Sequence, residues 1–481
     1  MSLPDPFSKI KEYTEYSENS PVKTITELQT LDLVICILGK NRWQTKLSPC
    51  KSKWIAESNK QGYSQDQIDY AFAMIEWIAE HMSEGYQPAG IDRIWRAKNV
   101  SSHTFNSLVR KYMKTQIIDY HPGSNNQVID IVHPSLYPVI NGVTRDKNGS
   151  IIKWPVKKIA KKRYDNELTV MKSDKFQWLP TEFYIKNGKT TINGYINNLH
   201  DDNLVVPIAE IFDKMIPMFE LCLGELVNPP YSPRVIFENE SSPWYKDNNK
   251  DNQDYDSEED YEDDYDEFAK YEFVPPKIQS FRPPNYQPYS LEGKTLQVIT
   301  KIAEIRLTPE NPTYKGGVWH MEGMENESII ASGIYYFKNG NITESKLAFR
   351  QQVSEPTNYS QNDRNGVEKV YGLVDEESCI QQLGSLKTEE GTILVFPNTY
   401  QHRVREFKLQ DKTKNGVRKI LVFFLVNPEK RILSTNEIPP QYDLYSMKQA
   451  KKYREELMQE RKYVEKEINN LVERECSLCE H

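Results

Sequence analysis

Within the segment Tyr314-Lys-Gly-Gly-Val-Trp-His-Met-Glu-Gly-Met324, His320 and Glu322 stand two residues apart. On an extended strand, residues so spaced project from one face. An imidazole and a carboxylate on one face can bind one divalent cation, and a third donor would complete the set. His402 is the best candidate, because it opens a β-like run just after Gly391-Thr-Ile-Leu-Val-Phe-Pro397, itself a buried-strand pattern. Two histidines and one carboxylate make a facial triad suited to Fe(II), with three positions left for an α-keto-acid chelate and O2. They also lower the charge on the ion to about +1, which favours an anionic co-substrate. The far carboxylate of such a co-substrate needs a cation. Arg418, at the start of the apolar run Ile420 to Val426, offers a bidentate guanidinium. Lys419 competes for the role. Alternation leaves the choice open, since Ile420, Val422 and Phe424 share a face with Arg418 while Leu421, Phe423 and Leu425 share one with Lys419. Arg403 and Arg405 would point away from the face of His402 and read as surface residues. A bare H-x-E is weak evidence; its weight comes from the later strand-borne histidine and the cation in the right order.

The elements that must position these groups are legible in the patterning. From Ser64 the spacing predicts a helix, with Ser64 and Gln67 as a capping box and Ile68, Ala71, Phe72, Ile75 and Ile78 at helical intervals. A second helix starts at Ser101 or Ser102 and runs through Leu108 and Tyr112. Asn187-Gly188, between Phe176–Ile185 and Thr190–Ile196, predicts a β-hairpin on a type I′ turn. Residues 205–221 predict an amphipathic helix entered through Pro207, which Pro217 should kink or stop. After Lys294 come the strand-like runs 296–307, 329–337, 346–353, 392–396, 402–407 and 417–426, separated by Gly, Pro, Asn and Asp. Such a series predicts an all-β sandwich or barrel within an α+β chain. Residues 443–475 predict a charged, packed surface helix. Trp319, Tyr335 and Tyr336 are core or pocket aromatics, and His81, His103, His121, His133 and His200 read as structural.

Composition bounds the rest. The 481 residues carry 61 Lys and Arg against 69 Asp and Glu, too little positive charge to point to nucleic acid. The acidic excess is local. Eleven of the seventeen residues from Asp251 to Glu267 are Asp or Glu, and this reads as a solvated insertion of about 238–274. The longest clean apolar run falls far short of the ~20 residues of a membrane span, and no secretory h-region opens the chain. The expected compartment is therefore cytoplasmic or nuclear. Cys36, Cys50, Cys222 and Cys379 are expected as buried thiols. Cys476-x-x-Cys479 with His481 lacks the fourth ligand of a structural zinc site. A protein partner, if one exists, would meet the acidic loop or the final helix.

Residues 296–435 resemble the double-stranded β-helix (jelly-roll, cupin-like) core of Fe(II)- and 2-oxoglutarate-dependent dioxygenases. More closely, GGVWHMEGMENESIIASGIYYF, NITESKLAFR, FPNTYQHRV and RKILVFFLVNP, with FQWLPTEF and TINGYINNLH earlier, resemble a largely fungal family of uncharacterised proteins defined by a domain of unknown function. The resemblance covers most of 176–440 and, more loosely, the helical amino-terminal part; together with the patterning it gives a largely helical region at 1–165, an oxygenase-like domain at 166–440 and a charged helix and tail at 441–481. It implies His320, Glu322 and His402 as iron ligands and Arg418 as the anchor for 2-oxoglutarate, with O2 as second co-substrate. The reaction implied is hydroxylation, or demethylation through hydroxylation, of an unknown substrate. Glu322 stands where the commoner pattern has Asp, as in the jumonji-type branch. The alternatives are a β-helix scaffold without turnover and a cupin-type metal enzyme that does not use 2-oxoglutarate.

Overall fold

The computed structural model describes residues 2–7, 21–82, 85–155, 171–237, 242–246, 271–360, 363–473 and 475. The acidic run 251–267 and the terminal Cys476, Cys479 and His481 lie outside them. The chain is α+β with extensive antiparallel sheets. Helices α1 (Ile25–Leu38), α2 (Trp43–Lys60) and α3 (Gln65–His81) come first. Ser64 caps α3 in the expected reciprocal box with Gln67. Two short strands, β1 (Tyr86–Pro88) and β2 (Trp95–Ala97), precede α4 (His103–Thr115), which Ser102 caps, and β3 (Val128–Val132) follows.

The hairpin forms as β4 (Thr181–Lys186) and β5 (Lys189–Asn193). Asn187 and Gly188 take φ of 53° and 64°, the left-handed pair a type I′ turn needs. The helix expected over 205–221 is two helices, α5 (Val205–Asp213) and α6 (Ile216–Val227). Pro217 opens the second rather than ending the first, because a proline without N–H costs nothing in a first turn.

The long strands are β6 (Thr295–Leu307), β7 (Ile329–Gly340), β8 (Lys346–Gln352), β9 (Ile380–Lys387), β10 (Thr392–Pro397), β11 (Gln401–Val404) and β12 (Gly416–Val426). Among the described residues a nine-stranded sheet runs β1-β2-β10-β7-β12-β6-β4-β5, with β3 also on β6, and a second sheet runs β9-β8-β11. The run expected at 402–407 breaks after Val404, and Phe407–Lys408 pairs instead with Thr313–Tyr314.

The two faces of the large sheet bury different partners. One face, with Val298, Tyr335, Val395, Leu421 and Phe423, packs on α4, α5 and α6. Gly333 on β7 admits this packing, since a Cβ there would lie 2.7 Å from Met215 Sδ. The other face, with Tyr336, Phe396, Val422 and Phe424, meets Leu347 and Phe349 of β8 and Leu383 and Leu386 of β9. The candidate site lies beside this second core. Helix α7 (Arg364–Tyr371) precedes β9, and α8 (Met447–Val472) closes the described chain, burying Leu457, Val464, Ile468 and Val472. No helix is long and apolar enough to cross a membrane among the described residues. Cys222 and Cys379 are buried, but Cys50 on α2 is half-buried and Cys36 is exposed, because the buried residues of α1 around it are Leu33, Val34, Ile35 and Ile37.

Candidate metal centre

His320 and His402 face each other across an isolated antiparallel bridge. The N–H of His320 donates to the carbonyl of His402 at 3.2 Å, and the N–H of His402 returns the bond at 3.0 Å. Residues so paired carry side chains to the same side, and the two rings lie 4.3 Å apart. Glu322 Oε1 sits 3.6 Å from His320 Nε2 and 3.4 Å from His402 Nε2. One donor atom from each of the three lies within 4.8 Å of the others. These separations are close to those of adjacent ligands on one ion with bonds of ~2.0–2.2 Å.

Local structure fixes each group. His320 Nδ1 lies 2.9 Å from the Val318 carbonyl. Only a protonated Nδ1 can use that acceptor, so Nε2 is the nitrogen left to face Glu322, protonated in the metal-free ion pair and free to ligate once a cation displaces that proton. His402 is buried, with Phe396 and Phe349 at ring distances of 4.8 and 6.3 Å. Asn398, fully buried, clamps the backbone of Glu322: its Oδ1 accepts the Glu322 N–H at 2.8 Å, and its Nδ2 donates to the Glu322 carbonyl at 2.9 Å and that of Ile329 at 3.0 Å. The sequence reading passed over this residue. Its only signal was position, in the Pro-Asn-Thr turn between the buried strand and His402.

The electrostatics suit a cation. Burial alone would raise the Glu322 carboxyl, yet its hydrogen bonds to His320 and His402 hold it well below the usual range. Burial and the charge of His320 lower His402, whereas Glu322 overcomes burial to raise His320. A small cavity of about 140 Å³ opens beside His320 and Glu322, between Trp178, Met324 and the α8 residues Val464, Glu465 and Ile468.

The two basic residues that alternation left open part company across the sheet. Arg418 is 2% exposed, stacked over the Tyr336 ring at 4.8 Å, with Nε unpaired. It abuts the same core as His402. Lys419 turns to the helical side, where it pairs with Glu304 at 2.8 Å. Tyr335 and Tyr336 are core residues of opposite faces. The guanidiniums of Arg350 and Arg403 stand over the Trp319 ring, at 4.9 and 4.5 Å.

A second group, His121, Asp130 and His133, also converges within 4.8 Å. It suits a metal less well. His133 Nδ1 accepts the Ser135 N–H at 3.1 Å, so the proton of the neutral ring occupies Nε2 and blocks it. Arg454 stands 3.7 Å from Asp130, and Asp130 instead binds His121 at 3.0 Å. This group is an ion-pair network tying β3 to α8.

An α+β protein with a converging two-histidine, one-carboxylate cluster is the class that fold and site define. The chain belongs to the DUF4246 family, described as proteins of unknown function, whose match spans residues 67–449. No curated protein matches it. Solved structures with partial similarity include IDO from Bacillus thuringiensis, 11% identical over 28% of this chain and 48% of that one, with a TM-score of 0.19. Another is the Fe(II)/α-ketoglutarate-dependent dioxygenase TqaL, 15% identical over 31% and 47%, with a TM-score of 0.18. A third is a BsmA homologue from Methylobium petroleophilum PM1, 10% identical over 29% and 44%, at 0.17. The chain thus spans less than half the length of each of these proteins.

Proposed function

We propose that this protein is an Fe(II)- and 2-oxoglutarate-dependent oxygenase with a double-stranded β-helix core, hydroxylating or oxidatively demethylating a substrate yet to be identified. The observation that carries this reading is the meeting of His320, Glu322 and His402 through a reciprocal backbone bridge, their ligating atoms turned inward. The two facing antiparallel sheets, with the cluster at one end of the core between them, support the fold assignment. In this reading the three side chains hold the iron, and the iron with 2-oxoglutarate and O2 supplies the oxidising equivalent for a C–H bond. Arg418 binds the far carboxylate of 2-oxoglutarate. Its burial without a carboxylate partner among the described residues leaves a charge that an anionic ligand would satisfy. Trp178, Met324 and the α8 wall limit water at the cluster.

Calorimetric titration of the full chain with Mn(II), a redox-silent substitute, tests the ligands. One equivalent should bind to the wild type, and at least 100-fold more weakly to His402→Ala. 2-Oxoglutarate should then bind only the metal-loaded protein, and Arg418→Ala should weaken it tenfold or more while leaving Mn(II) affinity unchanged. Stoichiometric metal with no 2-oxoglutarate affinity would instead identify a cupin-type metal enzyme, and absence of both a scaffold. Succinate formation from 2-oxoglutarate in the Fe(II) protein should vanish in His320→Ala.

A further inference from the structure

Lys419, the cation not used at the candidate centre, opens on the opposite side of the large sheet into a cavity of about 300 Å³. That volume lies at the lower end of small-molecule sites, ~300–1,000 Å³. Its lining includes the apolar residues Met113, Ile117, Ile118, Leu136 and Met447. Three of these are held in water: Ile117 is 92% exposed, Ile118 50% and Met447 44%. Adjacent exposed aliphatics at the rim of a formed cavity are costly unless something covers them.

The charged part of the lining is mostly basic. Arg110, Lys114, Arg306 and Lys419 accompany Asp119 and Asp130. Both carboxylates are already engaged, Asp119 by Arg454 and Lys451 at 2.6 and 3.0 Å and Asp130 by His121. Arg306 and Lys419 share a single buried carboxylate, Glu304, at 2.7 and 2.8 Å. Arg110 and Lys114, on the exposed face of α4, carry no ion pair among the described residues. The lining therefore carries an excess of positive charge beside its apolar residues.

We propose that this cavity is a binding site for a small amphipathic organic anion, a carboxylate on an aliphatic body. The acid group would meet Arg110, Lys114 and the Arg306–Lys419 pair, and the apolar body would cover Ile117, Ile118 and Met447. The proposal is independent of the metal centre, since the sheet separates the two sites.

Decanoate is the probe, titrated calorimetrically into the full chain at low salt, with decylamine as the opposite-charge control. One equivalent of decanoate should bind and decylamine should not. The double charge reversal Arg110→Glu/Lys114→Glu, at exposed positions that leave folding intact, should weaken decanoate at least tenfold, and Ile117→Ser severalfold. Mn(II) binding should be unchanged in both. Equal binding of the two probes, or binding untouched by the charge reversals, would overturn the site as non-specific adsorption. A dimer broken by Ile117→Asp would overturn it in favour of an interface between copies of this chain.

Discussion

Glu322 is placed only as well as its backbone, and one buried amide holds that backbone from both ends. Replacing Asn398 with Ala strands the Glu322 N–H and two carbonyls away from water, at about 1–3 kcal/mol of lost stability. Groups of this kind typically govern metal affinity by 10–100-fold. Asn398→Ala should therefore weaken Mn(II) binding by at least tenfold while far-ultraviolet circular dichroism stays native. An unchanged affinity would show that the carboxylate finds its position without the clamp. The choice between Arg418 and Lys419 belongs to the same scale. Both faces of that strand are apolar in sequence, so alternation carried no information; only the identity of the packed layers, helices on one side and strands on the other, tells the two cations apart.

At the scale of elements, α8 is the most exacting piece. Arg461 stacks on Trp178 at 3.7 Å and pairs with Glu327, a carboxylate with no exposed surface that also accepts the N–H groups of Trp178 and Met324 at 2.6 and 2.8 Å. Arg461→Ala leaves a buried charge short of its cation, and urea denaturation should register a loss of about 3–5 kcal/mol. Helix α6 supplies a pH-dependent counterpart. Glu225 is buried among Trp95, Tyr231 and the Arg93 N–H, and burial pushes its carboxyl up to about 7. The folded state then holds a proton that the unfolded chain releases near pH 4.5, so this group's contribution weakens stability as pH rises from about 4.5 through 7. Between pH 5 and 8 the wild type should lose about 2–3 kcal/mol more than Glu225→Gln. Equal slopes would place the titration elsewhere. Helices α3 and α4 and the β-branched strands were readable because caps and spacing fix them locally, whereas α1, despite its Thr24–Glu27 box, and α7 were not read. Strand β9 was not, since IQQLGSLK alternates poorly and bends at Gly384, whose φ of 125° accompanies a register shift opposite Phe349 and Arg350. The grouping of His121 with Asp130 and His133 was equally hidden, for it depends on residues 119–121 folding back to pair with 128–130.

Across the whole molecule, the helix that walls the cavity beside His320 begins at Met447, where the family match is ending at residue 449. A chain ending at Ser446 should keep the paired sheets yet expose the surface that Leu457, Val464 and Ile468 now bury. Hydrogen exchange should rise across 318–324 and 401–404, with a lower melting temperature; unchanged protection there would show that α8 is a passenger. The Arg350–Trp319–Arg403 stack adds a consequence for observation. The Trp319 carbonyl takes a hydrogen bond from Asn469 of α8 at 3.0 Å, while its neighbour in sequence is His320. An indole in contact with two guanidiniums, one residue from the cluster and tethered to its cover, makes a native fluorophore. The difference in emission between wild type and Trp319→Phe would register both the quenching of a captured transition ion and the lifting of the helix, with no dye attached.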